Sequence, residues 1–313
     1  MGSAWLIRLT ILAGAGLVVA AGGLVITRPQ RIEPSRLAGF SADLANGAYL
    51  FDAAGCASCH AAPKAEGPER FKLGGGRRLA TPFGTFHVPN ISPDRRTGIG
   101  TWTVAEIVDA IAAGVGRDGS HQYPAMPYAS YGRMSLADAH DLAAFLKTLP
   151  AVENEVPPHE LGFPFGIRLG IGLWKLVNFN PGPVVALPAA TPEVLRGRYL
   201  VEGPGHCGEC HTPRDAGGGT LRSRWLAGAP AMEGPGRVPD LTPHPKALGP
   251  WSVADITGYL ETGFKPDGDT AGGPMVEVID NTARLTPEDR RAIALYLKAV
   301  PAIAPEPRPV TVK

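Results

Sequence analysis

The sequence predicts an all-α protein in which one helical domain occurs twice, behind an N-terminal transmembrane helix. Three observations support this prediction: an apolar N-terminal segment, apolar residues at helical spacing, and landmarks that recur along the chain. The landmarks recur at an offset of about 150 residues, far longer than the roughly 20–50 residues of a solenoid repeat. We therefore predict domains at 39–152 and 191–304, with a linker at 153–190 and a tail at 305–313.

The first element is an apolar segment, residues 4–27, whose only charge is Arg8. Its uncharged part runs from Leu9 to Ile26, and a helix of that length, at about 1.5 Å per residue, approaches the ~30 Å of a bilayer core. A cleaved secretory signal is the alternative, although its apolar region is usually only about 7 to 15 residues long. We predict that residues 1–28 form a membrane anchor rather than a cleaved signal.

Two motifs use all four cysteines of the chain: CASCH at 56–60 and CGECH at 207–211. Cys-x-x-Cys-His spacing is typical of covalent haem c attachment, because one helical turn presents both sulfurs and the adjacent histidine to a single porphyrin. A zinc ribbon would need its cysteine pairs about 15–20 residues apart, and a thioredoxin-like pair would need a β-α-β context. We predict two covalently attached haem c groups. Cys56, Cys59, Cys207 and Cys210 form the thioether bonds, and His60 and His211 each bind iron.

Each motif is predicted to follow a helix. A pattern with Leu44, Ala48 and Phe51 at helical spacing covers about 42–54, directly before the first motif. Thr191, followed by proline and glutamate, is a helix-start signal ahead of the second motif. The same element therefore precedes both attachment sites.

Further landmarks follow each motif in the same order. PNISP at 89–93 matches PDLTP at 239–243, and WTVAEI at 102–107 matches WSVADI at 251–256. In the second pair, a hydroxyl three residues before an acid predicts a capping box at the start of a helix.

The last helix of each domain is predicted to start at Ser135 or Thr286 and to stop before Pro150 or Pro301. Its apolar stripe is expected to lie in the core, across the first helix of the same domain.

Methionine supplies the predicted second iron ligand. Met126 and Met275 occupy equivalent places in the repeat, each in a proline-containing loop between two helices. His/Met ligation is the arrangement of cytochromes c and raises the reduction potential. Met134 and Met232 have no counterpart and are expected to fill the core. His121, close to the first loop, is the alternative ligand. The remaining histidines are expected at the surface or around the haem: His87, His140, His159, His206 and His244.

Three further side chains are candidates for contacts with haem propionates. Trp102 and Trp251 carry indole N–H donors at equivalent positions, and Arg77 carries a guanidinium, although tryptophan packing explains the first two equally well. The segment at 161–177 is too interrupted by Pro164, Arg168 and Lys175 for a second membrane span. It is either a linker packed against both domains or an interfacial helix that contacts lipid or a partner subunit.

Composition excludes one class of partner. The formal charge is +1 and no basic tract occurs, so the sequence offers no nucleic-acid footprint. Glycine and proline, 40 and 32 residues, are expected to form loops around a large prosthetic group.

The stretches ATPFGTFHVPNISPDRRTGIGTWT at 80–103 and GRDGSHQYPAMPYASY at 116–131 carry a family resemblance. With the two motifs, the chain resembles bacterial membrane-bound dihaem cytochromes c, similar to the cytochrome c subunits of periplasmic alcohol, aldehyde and gluconate-type dehydrogenases. The resemblance implies two tandem class I-type cytochrome c domains on the bacterial inner membrane, facing the periplasm. The best-known members have three haem domains, whereas this chain has two.

The resemblance also implies a function. Electrons would enter from a periplasmic dehydrogenase subunit and leave to quinone, a soluble cytochrome or a terminal oxidase, so that the chain is not an enzyme by itself and has no catalytic residue. The alternative is a dihaem enzyme, a peroxidase or a thiosulfate-type dehydrogenase, with an open or displaceable haem site. Because every cysteine is committed to haem attachment, none remains as a reactive ligand.

Overall fold

The computed structural model describes residues 21–232 and 236–304, together with Trp5, Arg8, Ile11, Leu12 and Gly14. The chain is mostly helical with a few short strands. The predicted tail at 305–313 lies outside the described residues. The boundaries of the two predicted domains stay a prediction. The part of the chain up to residue 152 is the N-terminal half, and the part from residue 191 is the C-terminal half.

The predicted N-terminal transmembrane helix, and the inner-membrane location expected with it, are contradicted. In the part of the chain that the structure describes, no helix is both long and apolar enough to cross a bilayer. Most of the expected span before residue 21 lies outside the described residues.

The N-terminal half contains three longer helical elements, the short helix of the first motif and one further short helix. Asp43 caps helix α1 by accepting hydrogen bonds from the amides of Ala45 and Asn46. The helices are α1 at Leu44–Ala53, α2 at Cys56–His60, α3 at Val104–Val108 with a π-helical continuation at Asp109–Ala113, α4 at Tyr128–Tyr131 and α5 at Leu136–Leu146. Single 3-10 turns cover Pro34–Arg36 and Gly67–Phe71.

The C-terminal half repeats this order after the linker helix α6 at Leu169–Asn178. Thr191 caps α7, whose first residue is Pro192, as predicted. The helices are α7 at Pro192–Glu202, α8 at Gly208–His211, α9 at Val253–Thr262, α10 at Met275–Thr282 and α11 at Pro287–Ala299. A 3-10 turn covers Arg222–Arg224.

The predicted capping boxes are confirmed. The Thr103 hydroxyl accepts from the Glu106 amide at 3.2 Å, and the glutamate carboxylate accepts from the Thr103 amide at 2.8 Å. Ser252 and Asp255 make the same two bonds at 3.1 and 2.7 Å. The starts predicted for the last helices are confirmed as well, since Ser135 caps α5 and Thr286 caps α11.

The all-α prediction is wrong for two short sheets. In the N-terminal half, β1 at Arg78–Thr81 and β2 at Gly84–His87 form an antiparallel sheet with β3 at Glu160–Leu161 of the linker, in the order β1-β2-β3. In the other half, β4 at Ala229–Pro230 pairs with β5 at Arg237–Val238. The first hairpin turns tightly because the Thr81 hydroxyl donates to the Gly84 carbonyl at 2.8 Å. All these strands are too short to be recognised from an alternation of apolar and polar residues in the sequence.

The first and last helices of each half cross in its core, as the apolar stripes predict. Two glycines, one repeat apart, allow the close approach. A Cβ atom on Gly47 would overlap the Asp141 carbonyl of α5, and a Cβ on Gly197 would overlap the Ala292 carbonyl of α11. Both halves therefore use a glycine to let one helix backbone lie against the next.

The linker is packed against both halves, as the first of the two interpretations of 161–177 expects, and a contact of α6 with lipid or a partner subunit stays a prediction. The Lys175 ammonium donates to the carbonyls of Ala113 and Gly114, each at 2.7 Å, in the N-terminal half. The Trp174 indole donates to the Gly217 carbonyl at 3.0 Å in the C-terminal half.

The two halves also contact each other directly through a reciprocal pair of bonds. The Tyr49 hydroxyl of α1 donates to Asp289 of α11 at 2.5 Å. The Tyr199 hydroxyl of α7 donates to Asp138 of α5, which is the same contact displaced by one repeat. Each half therefore makes the same tyrosine-to-aspartate contact with the other half.

We predict that Gly47→Ala and Gly197→Ala each lower the free energy of unfolding by about 1–3 kcal/mol, because the added methyl overpacks a helix crossing. Gly258→Ala is the matched control, since it lies within α9 with nothing within 4 Å of an added Cβ. There the exchange should stabilise the helix by about 0.5–1 kcal/mol. Denaturant unfolding of the three variants measures the difference, and equal effects at all three positions would contradict the close-crossing account.

Candidate functional site

Each cysteine motif forms a short helix directly after the first long helix of its half. In the first motif, Gly55 takes a left-handed conformation, with φ of 61°, and so ends α1 and starts α2. One helical turn then carries Cys56 and Cys59. Burial raises the pKa of Cys56 and of Cys207 to about 12, so both thiols are neutral before haem is attached.

The histidine of each motif is held by the same hydrogen bond. His60 Nδ1 lies 2.9 Å from the Pro89 carbonyl oxygen, and His211 Nδ1 lies 2.8 Å from the Pro239 carbonyl oxygen. A carbonyl can only accept, so Nδ1 carries the proton in both residues. Each Nε2 therefore keeps the lone pair that a metal requires.

Burial keeps both imidazoles neutral. It lowers the pKa of His60 to about 4 and also lowers the pKa of His211, against the opposing effect of the proline carbonyls. A neutral imidazole is the form that binds a metal, so no proton has to be displaced at physiological pH.

A glycine loop behind each histidine fixes the proline carbonyl in place. The Gly75 amide donates to the His60 carbonyl at 2.8 Å, and the Gly228 amide donates to the His211 carbonyl at 2.8 Å. Both glycines have positive φ, 70° and 74°, and a Cβ on Gly75 would lie 2.5 Å from the Pro89 carbonyl group. Only glycine leaves room for the backbone segments to lie this close together, and both halves have a glycine at this position.

These residues fit haem c and do not fit an ordinary metal site. Two thiols within one helical turn and an imidazole with a free Nε2 are the groups that covalent attachment and axial ligation need. Among residues 21–232 and 236–304, no group of three or more His, Cys, Asp or Glu side chains is placed to hold a metal ion.

The two candidate distal methionines differ in their surroundings. Met126 is half-buried in the turn before α4 and packs against the first core, which Cys56 also contacts. Met275 is half-buried as the first residue of α10 and is not among the described side chains packed against the second core. Met134 is 5% exposed and fills the core as predicted, whereas Met232 is 52% exposed, so its predicted core position is wrong. Axial ligation by Met126 and Met275 stays a prediction.

The candidate propionate residues all have protein contacts. Trp102 packs against the first core and Trp251 against the second, where it meets the Tyr259 ring edge-on at 5.6 Å. Arg77 donates to the Ser58 carbonyl at 2.7 Å, inside the first motif, and to Glu277 of the opposite half at 3.0 Å. The structure thus brings Arg77 to a haem motif, and its propionate contact stays a prediction.

Three histidines outside the motifs contact distant parts of the chain, and whether any of them lies beside a haem group stays a prediction. His121, the alternative ligand, is 5% exposed, and its Nε2 lies 2.7 Å from the Thr27 carbonyl oxygen. His87 is buried, with Nε2 3.0 Å from Glu160. His206 lies between the two halves, with Nε2 3.3 Å from the Ala54 carbonyl oxygen.

Each motif is also held by the opposite half, which no local sequence pattern indicates. Ser58, the third residue of the first motif, accepts a hydrogen bond from Asn281 at 2.8 Å. Glu209, the third residue of the second motif, accepts one from Ser130 at 2.7 Å. Ser130 and Asn281 are themselves one repeat apart, which is the signal that could have identified them.

Known proteins are similar to this chain over nearly its whole length. The chain is 52% identical over 298 residues to "Diheme cytochrome c-type" from Cereibacter sphaeroides, covering 95% of this chain and 99% of that one. It is 38% identical over 281 residues to the fructose dehydrogenase cytochrome subunit of Gluconobacter japonicus, covering 88% of this chain and 56% of that one. It is 36% identical over 278 residues to the cytochrome c subunit of alcohol dehydrogenase (quinone) from Gluconacetobacter polyoxogenes, covering 85% and 57%.

These relatives confirm the resemblance to dehydrogenase cytochrome c subunits, although the chain spans only about half the length of the two subunits just compared. Two covalently bound haem c groups follow from the two motifs, their matched histidine geometry and the dihaem relative. A family model described as "Cytochrome c" matches residues 44–150 and again 194–301. The chain therefore belongs to the cytochrome c family.

Proposed function

We propose that this dihaem cytochrome c accepts electrons from a dehydrogenase subunit and passes them to quinone, a soluble cytochrome or a terminal oxidase. The observation that carries the proposal is the duplicated histidine site, in which Nδ1 of His60 and of His211 is bound to a proline carbonyl. Two equal sites of this kind on one chain suit a carrier that receives an electron at one and releases it at the other.

When bound, haem c supplies reversible one-electron oxidation and reduction of its iron. The protein attaches the group through two cysteine sulfurs, which fix its position. The hydrogen bond from each histidine Nδ1 to a proline carbonyl fixes the orientation of the ring and makes Nε2 a stronger ligand. The apolar side chains of each core lower the local polarity, which is a second means of setting the reduction potential.

Met126 and Met275 are proposed as the sixth ligands of the first and second iron. With a thioether bound as well as the histidine, the iron would be closed to substrate and could exchange only an electron. Met126 is supported by its packing against the core that Cys56 contacts. Met275 is supported by its equivalent place in the repeat. Trp102, Trp251 and Arg77 are proposed as propionate partners.

The dehydrogenase partner is proposed from the relatives. Their names assign them to fructose, alcohol and gluconate dehydrogenases, so the proposed source of electrons is a sugar, an alcohol or a sugar acid that the dehydrogenase oxidises. Because the chain spans about half of these subunits, its own partner and its acceptor have to be identified by experiment.

The partnership can be tested with the oxidised holoprotein and the dehydrogenase that co-purifies with it. Addition of fructose, an alcohol or gluconate should reduce both haem groups, as followed by absorbance, and only when the dehydrogenase is present. The same mixture without substrate is the control. Failure of every substrate to reduce the haem in the presence of the co-purified enzyme would contradict the proposal.

We predict that Met126→Leu opens the first iron to carbon monoxide in the reduced protein and lowers the potential of that haem, since the thioether is replaced by a hydrocarbon of similar volume. The wild type should resist carbon monoxide at both irons. Met134→Leu is the matched control, because Met134 lies in the same core and is not proposed as a ligand.

Binding of carbon monoxide to the wild-type protein at either iron would favour the alternative, a dihaem enzyme with an open site. An unchanged potential and continued resistance in Met126→Leu would show that another residue is the ligand.

A further inference from the structure

Tyr131 and His206 lie between the two haem motifs, and neither belongs to a motif or to the proposed ligand set. Tyr131, at the end of α4, is buried, and its hydroxyl donates to the Ala54 carbonyl at 2.9 Å, two residues before Cys56. His206 directly precedes Cys207. The two rings meet edge-on, with centroids 5.5 Å apart.

Both side chains converge on one backbone carbonyl. His206 Nε2 lies 3.3 Å from the Ala54 oxygen, which also accepts the Tyr131 hydroxyl. The imidazole therefore crosses from the C-terminal half to the N-terminal half. It reaches the chain immediately before the first motif, so a continuous series of contacts runs from one attachment site to the other.

His206 holds this position at a conformational cost. Its φ is 38°, in the left-handed region that non-glycine residues seldom occupy. The residue one repeat earlier is Gly55, which has φ of 61° and takes the same kind of turn without strain. A side chain kept where the other copy uses glycine points to a role for that side chain.

The contacts of His206 and Tyr131 with the Ala54 carbonyl form a bridge between the halves. This bridge occurs in one copy of the repeat only, although the surrounding contacts occur in both. The residue one repeat after Tyr131 is Thr282, whose hydroxyl donates to the Leu260 carbonyl at 2.6 Å, within its own half. By contrast, the bonds of Ser130 to Glu209 and of Asn281 to Ser58 are exchanged between the halves. His206 and Tyr131 therefore add something that the duplication itself does not supply.

We propose that His206 and Tyr131 are positioning residues for electron exchange between the two haem groups, because they fix the separation of the two motifs across the interface. The proposal rests on the electron-transfer function proposed above. In the step concerned, one electron passes from a ferrous iron to a ferric iron, no bond forms or breaks, and neither side chain changes its oxidation state.

The test compares His206→Gly with Tyr49→Phe in the haem-loaded chain. His206→Gly copies Gly55 and removes the bridge, whereas Tyr49→Phe removes the bond to Asp289 at the same interface and leaves the bridge intact. A light-activated reductant delivers one electron per molecule, and absorbance follows its redistribution between the haem groups. Because no dehydrogenase is present, this measurement is independent of the proposed partner.

We expect His206→Gly to keep its haem content and to exchange electrons several-fold more slowly, because a larger separation of the two motifs weakens the electronic coupling between the haem groups. Hydrogen exchange of the amides at 203–211 should become faster. Tyr49→Phe should lower the unfolding temperature and leave the inter-haem rate unchanged.

His206→Asn is the second variant in case His206→Gly fails to load haem, because asparagine tolerates positive φ and also removes the ring. A wild-type exchange rate in a fully loaded His206 variant would overturn the proposal. An equal slowing in Tyr49→Phe would also overturn it, because general loosening of the interface would then account for the effect. Failure of the wild type to be reduced by its dehydrogenase would contradict the proposed function instead.

Discussion

The bond from histidine Nδ1 to a proline carbonyl is the interaction on which the rest of this structure depends. It selects one tautomer, orients the ring and leaves Nε2 available to iron, and it occurs in both halves within 0.1 Å of the same length, at 2.9 and 2.8 Å. The loops that end at Gly75 and Gly228, and the strands beside them, serve to place that carbonyl. Burial of the same rings keeps them neutral, so their hydrogen bonding and their protonation favour the same state.

Duplication explains the interface as well as the sites. Contacts exchanged between the halves recur one repeat apart, as with Tyr49 to Asp289 and Tyr199 to Asp138. Each motif is therefore fixed both by its own loop and by the other half. The two haem motifs differ where the repeat is not exact. His206 stands where the first copy has Gly55, and the carboxylate of Glu209 stands where it has Ser58.

The sequence predicted what local chemistry determines. Thr103 and Ser252 start helices because a hydroxyl and an acid three residues apart complete a capping box, and the Cys-x-x-Cys-His spacing identifies its cofactor without any fold. It did not predict what depends on distant partners. Pro89 was recognised as a repeated landmark, but only the fold shows that its carbonyl meets His60. For His206, nothing in the local sequence indicates the contact with Ala54 of the other half, which depends on the fold. The apolar N-terminal stretch was judged on length alone, and the described helices do not support a membrane span.

We propose that each iron would be bound by a motif histidine and by Met126 or Met275, so that both irons would be closed to substrate and would exchange only electrons. Electron paramagnetic resonance of the fully oxidised protein tests this most directly, because spin state reports how many axial positions are filled. The account predicts two low-spin ferric signals of equal intensity. A high-spin signal from either haem would contradict it.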